Sequence, residues 1–269
     1  MSDLHRRQLL AGIGGALTVG LAGCGSSSGP DTEADSDPGP APGTGTPADT
    51  PTETETPTPT DTPSGTARVR VAHMSPDAPT VSTIIDGATA PGNIGIPYDG
   101  VGDYTAVSAG THRVTLTELG NPDNVLFDRE VRLGAADYTF VAAGEVVDAD
   151  PPFRVLPLVD DNSDPGEMAR LRGVHVAPDV GAVDVTVAAG RTLFDGIEFT
   201  ESGYVSVEPG DYTAQVRLDT ANDGGEVVYD RDVTLEAGSV YTAFAAGYFD
   251  VEFASDTSFE LDVVEDASA

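Results

Sequence analysis

The sequence predicts an all-β protein with two similar β-sandwich domains in tandem. A stretch of about 100 residues occurs twice, so that ARVRVAHMSPDAP at Ala67 returns as ARLRGVHVAPDVG at Ala169. Within each copy, apolar and polar residues alternate over short runs bounded by glycine, proline and aspartate, as in strands and turns. No stretch of these copies has a convincing helical period. A repeat of this length is the size of a domain, whereas solenoid units are much shorter.

The first strand of each copy shows the alternation most clearly. Side chains that are two residues apart lie on the same face of a strand, so each copy should have one apolar and one polar face here. We expect the apolar face to be buried in the core. It contains Val69, Val71 and His73 in the first copy, and Leu171 and His175 in the second; the polar face contains Arg68, Arg70, Arg170 and Arg172.

The strand count favours an immunoglobulin-like or transthyretin-like sandwich. Each copy holds about seven or eight short strands. In each copy a glycine comes shortly before a tyrosine, in LGAADYT and EAGSVYT, as in tyrosine corners. Tyr138 and Tyr241 should make such contacts. A closed barrel is the alternative. The predicted boundaries are residues 67–161 for the first sandwich, 162–167 for a linker and 168–269 for the second sandwich.

The first 23 residues predict an export signal. Arg6 and Arg7 precede a weakly apolar stretch that ends in LAGC at Cys24. HRRQLL resembles a twin-arginine export signal, and LAGC resembles a lipobox, which implies lipidation of Cys24 after cleavage. Cys24 is the only cysteine of the chain, so no disulfide is expected. These motifs predict a lipid-anchored protein on the extracytoplasmic face of the membrane; a cleaved soluble form or an uncleaved anchor are the alternatives.

Residues 24–66 predict a disordered stalk. From Gly25 to Thr66 there are nine prolines, eleven threonines and eight acidic residues, but no Val, Leu, Ile, Met or aromatic residue. Such a segment has no apolar surface to bury in a core. Its Thr/Pro bias is typical of an O-glycosylated stalk, and an unglycosylated spacer is the alternative.

The charge of the chain predicts a high-salt environment. Asp and Glu number 45 against 13 Lys and Arg, for a net charge of -32, and all 13 basic residues are arginine. This self-repulsion is largely screened in molar salt, where the Debye length falls to about 3 Å. Nucleic acid is disfavoured as a partner because phosphate contacts need clustered cations.

Three segments of the repeats resemble a known family. RVRVAHMSPDAP, AGTHRVTL and YTFVAAG are similar to extracytoplasmic β-sandwich domains of unknown function, which often occur in tandem in bacteria and halophilic archaea. The resemblance runs from Arg68 to about Asp266. The second copy departs from it after Pro178-Asp179, where it lacks the proline found at Pro79. The resemblance implies the sandwich fold, and with the N-terminal motifs a halophilic archaeal lipoprotein, but no catalytic residues.

The repeated His-x-x-Pro-Asp motif is a candidate site. It pairs His73 with Asp77 and His175 with Asp179. Histidine and carboxylate together can bind a divalent metal or act as base and acid. The alternative is a scaffold, with the histidine in the core and the aspartate capping backbone N–H groups. We favour the scaffold because both histidines fall on the buried face and no third ligand follows at a fixed spacing.

The acidic linker is a second candidate metal site. Asp160, Asp161 and Asp164 offer oxygen ligands for calcium, but their spacing does not match the twelve-residue calcium loop. The sequence therefore predicts no cofactor, with calcium or another divalent cation as the alternative.

These observations favour a lipid-anchored surface protein with a structural or adhesive role. Its expected partners are the membrane, through the lipid, and surface-layer or other cell-envelope proteins or glycans. An extracytoplasmic solute- or divalent-cation-binding lipoprotein is the alternative. We do not expect an enzyme, because the only support for catalysis is the repeated His and Asp, and no known catalytic motif occurs.

Overall fold

The computed structural model describes residues 64–147, 150–220, 224–249 and 257–268. All of them belong to the second of two compact units, Thr58–Ala269. Arg6, Arg7, Cys24 and all but the last three residues of the predicted stalk lie outside the described residues. Within the ranges just given, no helix is long and apolar enough to cross a membrane.

The regular structure of the described residues consists of strands, which confirms the all-β prediction. We call the segment with β1 to β9 repeat 1 and the segment with β10 to β17 repeat 2. The strands are β1 (Thr66–His73), β2 (Val81–Ile85), β3 (Ala88–Ile96), β4 (Gly100–Val101), β5 (Thr105–Ser108), β6 (Gly110–Glu118), β7 (Asn121–Leu133), β8 (Asp137–Ala143), β9 (Arg154–Asp160), β10 (Ala169–His175), β11 (Val183–Val187), β12 (Thr192–Ile197), β13 (Ser202–Val207), β14 (Gly210–Leu218), β15 (Val227–Leu235), β16 (Val240–Ala246) and β17 (Glu260–Ala267).

Each repeat is a sandwich of two sheets, which we call outer and inner. The outer sheets have the order β3-β2-β6-β7 in repeat 1 and β12-β11-β14-β15 in repeat 2. The inner sheets have the order β4-β1-β8-β9, with β5 also beside β1, and β13-β10-β16-β17. β1 runs parallel to β8 and β10 runs parallel to β16, while the other pairs are antiparallel. Two facing sheets replace the closed barrel that was the alternative.

The central strands of the inner sheets, β1, β8, β10 and β16, are buried on both faces along most of their length. One apolar core lies inside each sandwich, and Val69, Val71 and Leu171 belong to these cores as predicted. A third core joins the two inner sheets and contains residues of both repeats. Its buried members are Ala72, Met74, Val141 and Ala143 from repeat 1, and Val174, Val176, Phe244 and Ala246 from repeat 2.

This third core corrects the interpretation of the polar strand face. The sequence places Arg70 and Arg172 on a polar face, but their exposed fractions are only 4% and 1%. Both arginines do lie opposite the sandwich core, as the alternation indicates. At these two positions the face meets the other repeat instead of solvent, whereas Arg68 on the same face of β1 stays exposed as predicted.

The tyrosine-corner contacts are confirmed in both repeats. The hydroxyl of Tyr138 accepts a hydrogen bond from the N–H of Gly134 over 2.9 Å, and the hydroxyl of Tyr241 accepts one from Glu236 over 3.1 Å. Each bond ties the strand that contains the tyrosine (β8 or β16) to the turn before it. The contact satisfies a backbone donor that the turn leaves unpaired.

We expect Tyr138→Phe and Tyr241→Phe each to lower the free energy of unfolding by about 1 kcal/mol, because each removes one hydrogen bond to a backbone donor. Urea unfolding in molar salt measures the change. Tyr229→Phe is the matched control, since this ring packs edge-on against Phe259 and its hydroxyl has no bond of this kind. Equal effects of all three substitutions would contradict the assigned contacts.

Candidate functional site

The two motif histidines are sealed in the scaffold. His73 is 0% and His175 is 1% exposed. The Nε2 atoms lie 3.0 Å from the carbonyl oxygen of Pro79 and 2.9 Å from that of Gly181, respectively. A carbonyl oxygen can only accept, so Nε2 carries the proton in both rings. Burial lowers the pKa of both histidines, and they are held as neutral rings.

The two motif aspartates cap backbone groups of a second turn. Asp77 Oδ1 accepts from the N–H of Val146 over 2.9 Å, and Oδ2 accepts from that of Val147 over 2.6 Å. In repeat 2, Asp179 Oδ1 accepts from the N–H of Phe249 over 2.8 Å. In repeat 1 these bonds join the turn after β1 to the turn after β8. In repeat 2 the bond joins the turn after β10 to the turn after β16. The geometry therefore favours the scaffold interpretation of His-x-x-Pro-Asp, and burial of the histidines removes the observation that supported catalysis.

The structure does not bring the three linker carboxylates together. Asp161 pairs with Arg170, with 3.0 Å between Oδ1 and Nη1, and also accepts from the hydroxyl of Ser163. Asp164 Oδ1 accepts from the N–H of Gly166 over 2.7 Å. Asp160 instead points into the interface between the repeats. The three carboxylates therefore contact different groups of the protein and do not form one site.

A different set of carboxylates converges in repeat 2. In the described part of the chain, Asp184, Asp195 and Asp219 offer oxygens that all lie within 4.8 Å of one another. Asp184 is buried on β11 and accepts from the N–H of Gly196, while the other two are exposed. The sequence gives no signal for this group, because its members come from three separate segments. Exposed carboxylates are numerous in so acidic a chain, so their proximity alone does not establish a metal site.

Four buried charges join the two inner sheets. Arg70 of β1 pairs with Asp266 of β17, and Arg172 Nη1 of β10 lies 2.7 Å from Asp160 Oδ1 of β9. Each arginine thus pairs with an acid of the other repeat. The four side chains are at most 5% exposed. Arg172 Nη2 also lies 3.9 Å from Asp266 Oδ2, which links the two pairs.

A threonine in each repeat orients these charges. Arg70 Nε donates to Thr139 Oγ1 over 2.9 Å, and the Thr139 hydroxyl donates to Asp160 Oδ2 over 2.8 Å. Repeat 2 has the same arrangement. Its bonds run from Arg172 Nε to Thr242 Oγ1 over 3.0 Å and from the Thr242 hydroxyl to Asp266 Oδ2 over 2.6 Å. Burial disfavours the charge of Arg70, but the nearby Asp266 carboxylate raises the pKa of this arginine.

Two tyrosines cover the buried arginines. The guanidinium carbon of Arg70 lies 4.7 Å from the ring centre of Tyr104, and that of Arg172 lies 5.3 Å from the ring centre of Tyr204. The Tyr104 hydroxyl also donates to Asp160 Oδ2 over 2.6 Å. Both rings stack on a cation and take part in the joint between the repeats.

Each repeat also has an open groove between the edge strands of its two sheets. The groove between β3 and β5 measures about 310 Å³, and the groove between β12 and β13 about 470 Å³. His112 lines the first groove, with Nδ1 2.7 Å from Asp86 Oδ2 and Nε2 2.7 Å from the carbonyl oxygen of Ser108. Tyr212 holds the equivalent position in repeat 2 and donates to the carbonyl oxygen of Glu208 over 2.7 Å. Both rings thus bond to the carbonyl four residues earlier, which indicates a structural role.

An acidic contact lies beside the joint. The carboxyl group of Asp99 lies close to that of Asp262 of repeat 2. Arg231 Nη1 lies 3.1 Å from Asp262 Oδ1, and Glu260 is also close. Burial, followed by the charge of Asp262, raises the pKa of Asp99 to about 6. The native state therefore favours protonated Asp99, whose contribution to stability is lost as the pH rises through 6.

We expect Asp99→Asn to raise the unfolding midpoint at pH 7.5 and to leave it nearly unchanged at pH 4, because the amide resembles the protonated carboxyl group. Asparagine also tolerates the positive φ of 63° at this position. Thermal unfolding at the two pH values, at one fixed salt concentration, measures the difference. Asp123→Asn on the exposed start of β7 is the control. A gain of equal size at both pH values would contradict the assigned proton.

Comparison with known proteins places the repeats in a family. Residues 67–186 and 184–269 match the family model described as Domain of unknown function (DUF4397). A search of curated protein sequences found no match. One similar solved structure is the carbohydrate-binding module CBMbc of family CBM26 from Eubacterium rectale Amy13K, in complex with maltoheptaose. It is 12% identical over 72% of this chain and 97% of that chain, with a TM-score of 0.22, which is too low to support any argument about this protein.

The family match confirms the predicted resemblance to tandem domains of unknown function. Its two segments cover both sandwiches, although the first runs past β9 and β10 into β11. The strands themselves divide between Asp160, the end of β9, and Ala169, the start of β10. From the family match and the two sandwiches, we conclude that this chain belongs to the DUF4397 family as a tandem pair of its domains.

Proposed function

We propose that the chain is a lipid-anchored cell-surface protein whose two sandwiches form one structural or adhesive module. The observation that carries this proposal is the joint between the inner sheets. It buries apolar side chains and four charges, and a joint of this kind restricts the relative motion of two domains. A joined pair of domains at the end of a stalk is suited to holding a fixed surface away from the membrane.

The N-terminal motifs supply the anchor in this proposal. Arg6 and Arg7 direct export by the twin-arginine route, Cys24 takes the lipid, and residues 25–66 form the stalk. When extended, such a stalk reaches on the order of 100 Å at about 3.1 Å per residue. The stalk then places the sandwiches within reach of surface-layer proteins or envelope glycans.

We further propose that the protein works in a high-salt environment, and the contacts of its arginines support this. Six arginines of the described residues pair with acids: Arg68, Arg70, Arg113, Arg170, Arg172 and Arg231. Others bond to backbone carbonyls, as Arg191 does to Ser206 and Arg217 to Gly225. The acidic excess of the chain has few cations left to balance it, so counterions must screen it.

We expect Cys24→Ser to release the exported protein from the membrane fraction into the medium, since the variant has no site for the lipid. Arg6→Lys with Arg7→Lys should instead leave the precursor inside the cell. Cell fractionation with an antibody against the sandwiches measures both outcomes. Ser26→Ala next to the lipidation site is the matched control and should stay in the membrane. Membrane retention of the Cys24→Ser protein would contradict the lipid anchor.

The structural or adhesive role has a separate test, which is deletion of the gene. It would be contradicted if the cells without the gene kept the same surface integrity and attachment.

We expect the soluble part of the protein to lose stability as the salt concentration falls from molar to about 0.1 M, because carboxylate repulsion is then less screened. The midpoint of thermal unfolding in a KCl series measures this dependence. A series in sucrose, which strengthens burial without screening charge, is the control. An unchanged midpoint across the KCl series would show that the acidity serves another purpose.

The alternative, a solute- or divalent-cation-binding lipoprotein, is distinguished in the same unfolding experiment. A ligand at about 100 times its dissociation constant adds about 2.7 kcal/mol to the native state. A saturable rise of the midpoint with calcium or zinc, reversed by a chelator at constant ionic strength, would favour this alternative. Loss of that rise in His73→Gln with His175→Gln, or in Asp184→Asn, would locate the ion.

A further inference from the structure

The surface that joins the repeats is nearly the same in both partners. The equivalent strands β1 and β10, β8 and β16, and β9 and β17 provide it in the two repeats. Each repeat contributes one arginine, one threonine and one aspartate at matching places. The matching pairs are Arg70 and Arg172, Thr139 and Thr242, and Asp160 and Asp266.

The contacts across this surface are reciprocal. The arginine of repeat 1 pairs with the acid of repeat 2, and the arginine of repeat 2 pairs with the acid of repeat 1. Such reciprocity is the property of the isologous interfaces that build two-fold symmetric dimers. Here both halves lie in one chain, but nothing in the charge or the apolar character of the surface restricts pairing to one chain.

An opened chain would be strongly driven to pair again. Separation of the inner sheets would expose the third apolar core, including Met74 and Phe244, which are fully buried. It would also leave Arg172 and Asp160 without the opposite charge that compensates their burial. The surface that fits these groups exists both on the other repeat of the same chain and on any second copy.

The connection between the repeats is short. Eight residues, from Asp161 to Met168, join β9 to β10. Polar bonds hold it to both repeats: Asn162 Nδ2 donates to Asp137 Oδ2 over 2.9 Å, the N–H of Asp161 donates to the Tyr204 hydroxyl, and Arg170 donates to the carbonyl of Ser163. These bonds break when the segment opens. Fully extended, such a segment spans about 26 Å at about 3.3 Å per residue. It can therefore act as a hinge that passes repeat 2 to a neighbouring chain.

We propose that a second copy of this chain can occupy the joint by exchange of repeats, so that repeat 1 of each chain pairs with repeat 2 of the other. On a cell surface, the exchange would link two anchored chains and would be the adhesive contact of the module. The biological setting rests on the proposed function, whereas the exchange itself depends only on the interface and the hinge.

Charge reversal tests the exchange directly. Arg70→Asp places an acid opposite Asp266, and Asp266→Arg places a cation opposite Arg70, so each variant alone has a mismatched joint. When the two variants are refolded together, only exchange restores opposite charges at both places. The experiment uses the full chain with Cys24→Ser in molar salt, and native mass spectrometry with one variant labelled with ¹⁵N.

We expect the mixture to form a one-to-one heterodimer that unfolds at a higher midpoint than either variant alone. The double variant Arg70→Asp with Asp266→Arg is the matched control. It carries the reversed pair within one chain and should be monomeric. A mixture that stays as two monomers with unchanged midpoints, while the double variant folds, would overturn the proposal.

A second variant keeps the test decisive if the reversed pair does not fold. Deletion of residues 164–167 leaves four residues between β9 and β10, and shortened hinges favour exchange. We expect this variant to be a dimer, and a chain with those four residues replaced by Gly-Ser-Gly-Ser to be a monomer. A folded, monomeric deletion variant would overturn the exchange while leaving the lipid anchor and the surface location untouched.

Discussion

The buried network of two arginines and two aspartates is the constraint on which the arrangement of this molecule depends. Arg70, Arg172, Asp160 and Asp266 lie almost fully out of water between the inner sheets. Loss of one partner from such a pair costs roughly 3–5 kcal/mol, because the remaining charge stays buried. Apolar packing alone is not directional and would tolerate several relative positions of two sheets. The charges, each oriented by a threonine, define one position and one register.

The packing of the inner sheets against each other also explains why the inner strands differ from the outer ones. β16 is buried at every position and β10 at nearly every position, because one face meets its own sandwich and the other face meets the second repeat. Parallel neighbours such as β1 and β8 are typical of sheets covered on both faces. The outer strand β7, by contrast, is largely exposed and carries charged side chains. The sandwich of each repeat is therefore only part of the buried structure.

Much of the fold was predictable from local sequence, and less of the site. The repeat, the strand faces around Val69 and Val71, and the hydroxyl contacts of Tyr138 and Tyr241 depend on spacing within one copy, which a single sequence displays. The sequence does not show which backbone groups bond to His73 and Asp77. Every residue has a carbonyl and almost every residue has an N–H, so the residue types do not distinguish the partners. The convergence of Asp184, Asp195 and Asp219 was likewise hidden, since it depends on where three separate segments meet.

The sequence by itself determined the all-β class, the tandem organisation, the family resemblance and the acidic character, because these follow from composition, period and repetition. The tertiary structure decided what each strand face meets. Alternation shows that Arg70 shares a face with Ala72, but the same pattern describes a face in water and a face against another sheet. A buried ion pair and an exposed one use the same residue types, so only the packing of the second repeat reveals that these arginines hold the two domains together.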